Sequence, residues 1–332
     1  MPDAVVLSSR VRLARNYSDL PFDSADHEEN ADRCVNRTAN ALARTGEDQG
    51  YDLIRLRDLS ENQRNVLMES HLITKDLLRN PNTAAVLLEE DEAVSIMMNE
   101  EDHLRIQAIC PGMELLAPAA KCFHVDDVLS RQVSFAFDEQ LGYLTACPTN
   151  TGTGMRASLV MHLPMLTVYK QMGNVGQIVA KVGLTIRGVY GEGSEALGNI
   201  YQISNQVTLG RTEQEIISAL SAVGHQLTEM ELALREKAVK DGKVPLEDNI
   251  YRAWGILRNA RLLESGEFFR HWSFIRLGAA LGWLPCSLDT VDHLLDQAQD
   301  AHLQAFAEKK LHGQELAEIR AARVRTLLTE TK

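Results

Sequence analysis

The chain has 332 residues, 45% hydrophobic and 24% charged, enough for one large domain or two smaller ones with an ample core. No apolar run approaches the ~18 residues of a membrane span, and Met1-Pro2-Asp3 opens no signal-peptide pattern, so no membrane partner is expected. A net charge of −12 excludes nucleic acid as the natural partner; it fits either simple solubility or attraction for Arg- and Lys-rich proteins. Five cysteines, an odd number without CxxC spacing, read as free thiols in a reducing cytoplasm. Cys110, Cys122 and His124 lie close in sequence, but no second ligand pair follows, so buried thiols are expected rather than a metal.

In chain order, Val5 to Leu13 (VVLSSRVRL) is strand-like, which points Arg10 and Arg12 to one face. Two arginines so placed make a clamp for phosphate oxygens, although spacing alone favours two solvated side chains on an edge strand. Residues 24 to 50 are helix-compatible, and Asn62 to Leu78 has helical periodicity with His71 near its end. Ala84 to Leu88, Val94 to Met98 and His103 to Cys110 are short apolar or alternating runs split by turns, the pattern of an antiparallel meander. The bend NEEDHLR, Asn99 to Arg105, then projects Glu101 from a strand end into a cleft; on a helix, Glu101 and Arg105 would be only a surface pair.

Gln132 to Phe137 and Tyr143 to Cys147 read as a hairpin that delivers Cys147 at a strand end. The stretch CPTNTGTGMRASLVMHLP, Cys147 to Pro164, joins a thiol, a Gly-rich turn and Arg156. Its Gly152-x-Gly154-x-x-Ala157 spacing matches a dinucleotide fingerprint in letters alone, because a strand follows where a helix is needed and no acid lies about 20 residues on. A P-loop is excluded too, since no Lys-Ser or Lys-Thr follows the glycines. Val182 to Val189 is strand-like and ends in RGVYGEGSE, Arg187 to Glu195, whose three glycines imply a mobile loop around Glu192. After a strand over Gly198 to Leu209, Glu213 to Lys240 is a long helix. Its seam of Ile216, Leu220, Val223, Leu227, Met230 and Leu234 suits a bundle or a homodimer.

A break at Gly242 to Pro245 precedes a helical remainder. The expected fold is α+β, a large, mostly antiparallel sheet flanked by helices over residues 1–240, followed by an all-helical domain over 241–332.

Strand ends and adjoining loops thus carry Arg10, Arg12, Arg105, Arg156 and Arg187, with Glu101, Glu192 and Cys147. Arginines match a polyphosphate, and carboxylates with a thiolate match a cation. SSRVRLARN, NEEDHLRIQ, CPTNTGTGMRAS and IRGVYGEGSE resemble, in order and spacing, the signature blocks of the ATP:guanidino phosphotransferases, the family of creatine and arginine kinases. GVYGEGSEALGNIYQISNQVTLG is similar to the bacterial protein-arginine kinases within that family, and the likeness runs strongly over about residues 5–235. The resemblance implies that the five arginines hold the ATP phosphates, that Ser8 and His71 line the nucleotide site, and that Glu101, Glu192 and Cys147 face the guanidinium. It also implies Mg²⁺ with the ATP, protein substrates bearing exposed arginine, and adaptor or protein-quality-control partners.

The chemistry gives reasons for these residues. A guanidinium near pKa 13.8 yields its proton to a carboxylate near 4.3 only at roughly 13 kcal/mol, so deprotonation must accompany phosphorus–nitrogen bond formation. Two glutamates orient the planar group and accept the proton; Glu101 is assigned as base and Glu192 as orienting partner, with the reverse assignment open. A Cys147 thiolate would be favoured by the substrate's charge, against the alternative of a buried neutral thiol. The Gly191–Gly193 loop closing over substrate would exclude water.

Two alternatives stand beside a kinase for arginine residues in proteins: a kinase for free arginine or another small guanidino compound, and a non-catalytic regulator. The first block begins at Ser8, where phosphagen kinases place about a hundred residues of helical domain before it, which favours the protein substrate. The tail departs from the family. Protein-arginine kinases carry an Arg-Asp-x-x-Arg-Ala motif tied to phosphoarginine sensing, and the matching stretch Leu316 to Ala321 keeps only Arg320 and Ala321, which puts sensing in doubt and leaves catalysis untouched.

Overall fold

A computed structural model describes residues 4–22, 27–46, 50–189 and 196–330. In order these form β1 (Val6–Arg15), α1 (Glu28–Thr45), β2 (Tyr51–Arg55), α2 (Glu61–Glu69), β3 (Ala85–Glu89), β4 (Val94–Met98), β5 (Leu104–Pro111) and α3 (Leu116–Ser130). A two-strand ribbon of β6 (Phe137–Asp138) and β7 (Gly142–Tyr143) leads to β8 (Met155–His162), α4 (Pro164–Val168), α5 (Met172–Lys181), β9 (Leu184–Gly188) and β10 (Ile200–Asn205). Helices α6 (Glu213–Asn259), α7 (Ser265–Ala280), α8 (Leu288–Gln297), α9 (Asp300–Ala307) and α10 (Gln314–Glu330) complete the chain.

Among the described residues, eight strands make one antiparallel sheet in the order β2-β3-β4-β5-β1-β8-β10-β9. The α+β architecture read from the sequence is therefore present. Strand β1 sits near the middle, not at an edge, so its arginines are not solvated edge residues. Alternation along the strands separates two faces. Val11, Leu13, Ile106, Ala108, Ala157, Leu159 and Ile203 are fully buried in one apolar core together with residues of α3 and α6. The opposite face carries Arg10, between Ile109 and Ser158, and Arg12, between Gln107 and Arg156.

Several elements differ from expectation for local reasons. Ser60 and Gln63 form a reciprocal capping box that starts α2, but the helix ends at Glu69 and His71 takes φ 60°, so the helical periodicity of 62–78 is broken there. Of Gln132 to Phe137 only Phe137 enters a strand, the two-residue β6, and Cys147 lies in a loop four residues beyond β7. The α6 seam is buried: Ile216, Leu220, Val223 and Leu227 pack into the core under the sheet, with Met230 and Leu234 against it, so it is no exposed dimer face. Helix α6 continues across the Gly242–Pro245 break with a kink at Gly242 (φ −149°, ψ 42°), and its second half enters a separate apolar cluster with α7, α8 and α10.

That second cluster is tied to the sheet by a buried polar network. Glu231, fully buried on α6, accepts from the backbone N–H groups of Met165 and Leu166 and pairs with Arg235 at 2.8 Å. Arg235 and Arg276 both donate to the Ala4 carbonyl, and Arg276 also pairs with Asp292 at 2.7 Å. His162 at the end of β8 lies 2.8 Å from the Ser273 hydroxyl, which also accepts from Asn199. The Arg276 guanidinium can only donate to His162 Nδ1, so the neutral ring carries its proton on Nε2; burial, then Arg276 and Arg235, press its pKa well below the ordinary value.

Candidate active site

Strand register assembles the arginines. Arg12 is the cross-strand partner of Arg156 and of Gln107, Arg105 faces Ala14, and Arg187 faces Gln202. Because side chains repeat with period two, Arg10, Arg12, Arg105, Arg156 and Arg187 all rise from the same face of β1, β5, β8 and β9. Two adjoining cavities open there and share Arg187. One, of about 230 Å³, is lined by Arg12, Arg105, Arg156 and Arg187 with Glu101, Asp76 and Cys147. The other, of about 420 Å³, is lined by Ser8, Arg10 and His71 with apolar Ile109, Val160 and Val189.

The first cavity is rich in positive charge and poor in compensation. Among the described residues, neither Arg12 nor Arg156 forms an ion pair. Burial, then Arg10, Arg105 and Arg156, press the Arg12 guanidinium well below its ordinary pKa, with Glu100 opposing. Arg156 is lowered too, by burial and then Arg187 and Arg105, while Cys147 opposes. The buried Arg156 Nε, Ser158 Oγ, Ser204 Oγ and Gln202 Nε2 have no hydrogen-bond partner among the described residues. Such orphaned groups mark a place for a polar ligand or water. Ser158 and Ser204 share the arginine-bearing sheet face and Gln202 lines the second cavity; the sequence singled out none of them.

The NEEDH turn divides three adjacent acids among three tasks. Asn99, at φ 63°, donates to the Ala31 and Thr83 carbonyls, and its N–H closes the turn on His103 O at 2.9 Å. Glu100 is buried, pairs with Arg105 at 2.5 Å, and accepts from the Thr74 hydroxyl. Glu101 is half exposed on the rim, 4.0 Å from Arg105. Asp102 is buried and accepts from the Asn16 amide at 2.6 Å and from the Ala146 N–H at 2.7 Å. It thereby ties the loop carrying Cys147 to the end of β1. His103 accepts the Tyr17 N–H on Nδ1, which leaves Nε2 to donate to Pro21 O.

Cys147 is half buried, with its Sγ 3.0 Å from the Thr149 hydroxyl. Thr208 donates to the Thr149 and Thr151 carbonyls and pins the loop. Gly154 at φ 64° lets the chain pass the β1 backbone, where a Cβ would lie 2.6 Å from Ala14 O. His71 is held near the nucleoside-sized cavity, and burial followed by Arg10 lowers its pKa to about 4, so the ring is neutral at pH 7. Arg187 is exposed and reaches Gln202 at 3.4 Å. Glu192 and the Gly191–Gly193 loop lie outside the described residues.

Residues 33–234 match the profile of the ATP:guanido phosphotransferase C-terminal catalytic domain, and residues 243–332 that of the protein-arginine kinase McsB C-terminal domain. This chain belongs to the ATP:guanido phosphotransferase family. It is 43% identical to a protein-arginine kinase of Caldanaerobacter subterraneus subsp. tengcongensis, over 98% of this chain and 97% of that one. A protein-arginine kinase of Bacillus cereus is 41% identical over 98% and 93%. Among solved structures, a lombricine kinase superposes with TM-score 0.63 at 25% identity, covering 71% of this chain and 69% of that one. A duplicated taurocyamine kinase from Schistosoma mansoni gives 0.63 at 29% identity, over 72% and 34%. The guanido phosphotransferase profile spans Arg105, Cys147, Arg156 and Arg187.

In the helical tail, Arg320 is buried and donates to the Ala298 and Leu263 carbonyls and to Asp300. These bonds join α10 to the start of α9, to Ala298 just after α8 and to the loop before α7. Cys122 is likewise buried, 3.4 Å from the Val11 carbonyl. Among the described residues no helix is long and apolar enough to cross a membrane.

Proposed function

We propose that this chain transfers the γ-phosphoryl group of ATP to the guanidino group of arginine side chains in proteins. The observation that carries the reading is the cluster of five arginines raised from one sheet face, with Glu101 and Cys147 on its rim. The names of the relatives point to the same acceptor. In this reading Arg12, Arg105 and Arg156 hold the β- and γ-phosphates, Arg10 and Arg187 bridge toward the nucleoside, and Ser8 and neutral His71 border the base and sugar. Phosphoryl transfer needs little covalent help from the protein, so positioning and charge neutralisation supply the catalysis. Mg²⁺ arriving with the ATP would add to the charge neutralisation that the five arginines supply.

Glu101 takes the guanidinium proton as the phosphorus–nitrogen bond forms, and Glu192 is the proposed second carboxylate. Glu100 keeps Arg105 aimed, and Asp102 positions the Cys147 loop. Cys147 faces the guanidinium opposite Glu101. We place the protein in the cytoplasm with free thiols, with a catalytic unit to about residue 240 and a helical unit after it. An adaptor and a homodimer remain proposals, the latter without the α6 seam as its interface.

Incubation with ATP, Mg²⁺ and an arginine-bearing protein should give acid-labile phosphate on arginine, with a higher specificity constant than for free arginine. A higher specificity constant for free arginine would overturn the choice of acceptor. Glu101→Gln should abolish transfer while ATP still binds.

A further inference from the structure

A second depression, of about 250 Å³, lies on the other side of the loop that carries Cys147. The loop is a shared wall: Cys147, Thr149 and Gly154 line the arginine-rich cavity, while Gly152 and Thr153 line the depression. Its remaining walls combine polar Gln140, Thr208, Arg211 and Glu213 with large apolar side chains. Phe137, Leu141 and Leu209 converge there and are 58%, 45% and 48% exposed. Scattered surface leucines need no explanation, but three large apolar side chains around one concavity beside an active site do.

The support beneath them is fixed. Phe137 stands edge-on to Tyr143 at 5.3 Å, and Tyr143 lies on the Arg15 guanidinium, 3.4 Å from its ring centroid. Arg15 is buried and bidentate to Asp126 at 2.7 and 2.9 Å. Tyr143 and Gly152 exchange both backbone hydrogen bonds, and Thr208 fastens the opposite wall to the loop. A shelf already ordered in this way loses little entropy when a side chain docks on it.

We infer that this shelf binds an apolar side chain of the same polypeptide that presents the target arginine. The inference rests on the protein-arginine reading and supplies a reason for it. Cys147 and Gly152 are five residues apart, so their Cα atoms are separated by no more than about 17 Å. An extended peptide covers even that upper limit in about five residues, and the turns closed by the Asn150 N–H on the Cys147 carbonyl and the Thr151 N–H on the Pro148 carbonyl make the span shorter. An arginine in the cleft and a leucine or phenylalanine within about five positions of it therefore engage both sites at once. Free arginine reaches only the cleft, so the shelf favours polypeptide over amino acid.

Two peptides test this, each with one central arginine in a Gly/Ser background, with Leu or with Ser at each position three to five residues to either side of it. Wild-type protein should show a KM about tenfold lower for the Leu peptide, with kcat within about twofold. Phe137→Ser/Leu209→Ser should raise the Leu peptide's KM to that of the Ser peptide and leave the Ser peptide unchanged. Leu141→Ser should act in the same direction, about threefold, and serves if the double variant fails to fold. Equal specificity constants for the two peptides in wild type, or a Leu preference that survives the substitutions, would overturn the shelf while leaving the kinase reading intact. Absence of phosphoarginine on both peptides would sink the kinase reading and the shelf with it. If the substitutions change only the oligomeric state in sedimentation, the patch joins copies of this chain and the inference is wrong.

Discussion

Two groups of arginines in this chain have opposite surroundings. In the network between sheet and helical tail, Arg235 meets Glu231, Arg276 meets Asp292, and both cap the Ala4 carbonyl. In the cleft, Arg12 and Arg156 face each other across β1 and β8 with no ion pair among the described residues. The first group has its charge and donors satisfied by the fold. The second is held in mutual repulsion by the sheet, a cost that Glu100 and Cys147 oppose in part and that an anionic ligand would offset. The comparison separates arginines that build from arginines that bind, using partners rather than burial as the criterion.

The strongest test of that separation is Arg156→Ala. Phosphoryl transfer should fall by about a thousandfold or more, as when an arginine that stabilises the transferring phosphate is lost. The melting temperature of the nucleotide-free protein should stay level or rise slightly, because a like-charge neighbour of Arg12 has gone. Arg235→Ala should do the reverse. Leaving fully buried Glu231 without its cation should lower unfolding free energy by about 3–5 kcal/mol in denaturant titration, with ATP affinity of the folded fraction unchanged. A lowered melting temperature for Arg156→Ala, or intact stability for Arg235→Ala, would break the comparison.

His71 sharpens it through pH. Its folded-state pKa is depressed to about 4, below the ordinary 6.5, so between these values the unfolded chain binds more protons than the folded one. Stability must then fall as pH drops from about 6.5 to 4, by at most about 3 kcal/mol from this group. His71→Asn tolerates the same left-handed backbone and should flatten the stability profile across that window, leaving the contributions of His103, His162 and His271. An unchanged profile would remove His71 as a source of acid sensitivity. Cys147→Ser should have the smallest effect, about a tenfold fall in kcat with unchanged stability, since the loop is held by Asp102 and Thr208 rather than by the thiol. A thiol reagent that still inactivates Cys147→Ser would assign the reactive thiol elsewhere.

The sequence revealed the arginine clamp because period-two spacing survives folding: Arg10 and Arg12 share a face whatever the sheet around them. It could not show that β1 is central, since strand order is set by long-range pairing. Nor could it separate Glu100, Glu101 and Asp102, three adjacent acids whose burial is decided by Thr74, Arg105 and Ala146 from elsewhere in the chain. Ser158, Gln202 and Ser204 are single polar residues in strand runs, and only the register places them beneath the arginines. The α6 seam was legible as an apolar stripe, but a stripe does not name its partner; the sheet covers it here.

Thermal unfolding with and without Mg²⁺-ATP, on wild type and Arg156→Ala in parallel, tests most directly whether the cleft arginines await a polyphosphate. At a hundred times the dissociation constant, ATP should stabilise wild type by about 2.7 kcal/mol. The variant should lose most of that shift at the same ATP concentration while its nucleotide-free melting temperature is preserved. A variant that keeps the full ATP shift, or that melts markedly earlier without nucleotide, would contradict the account.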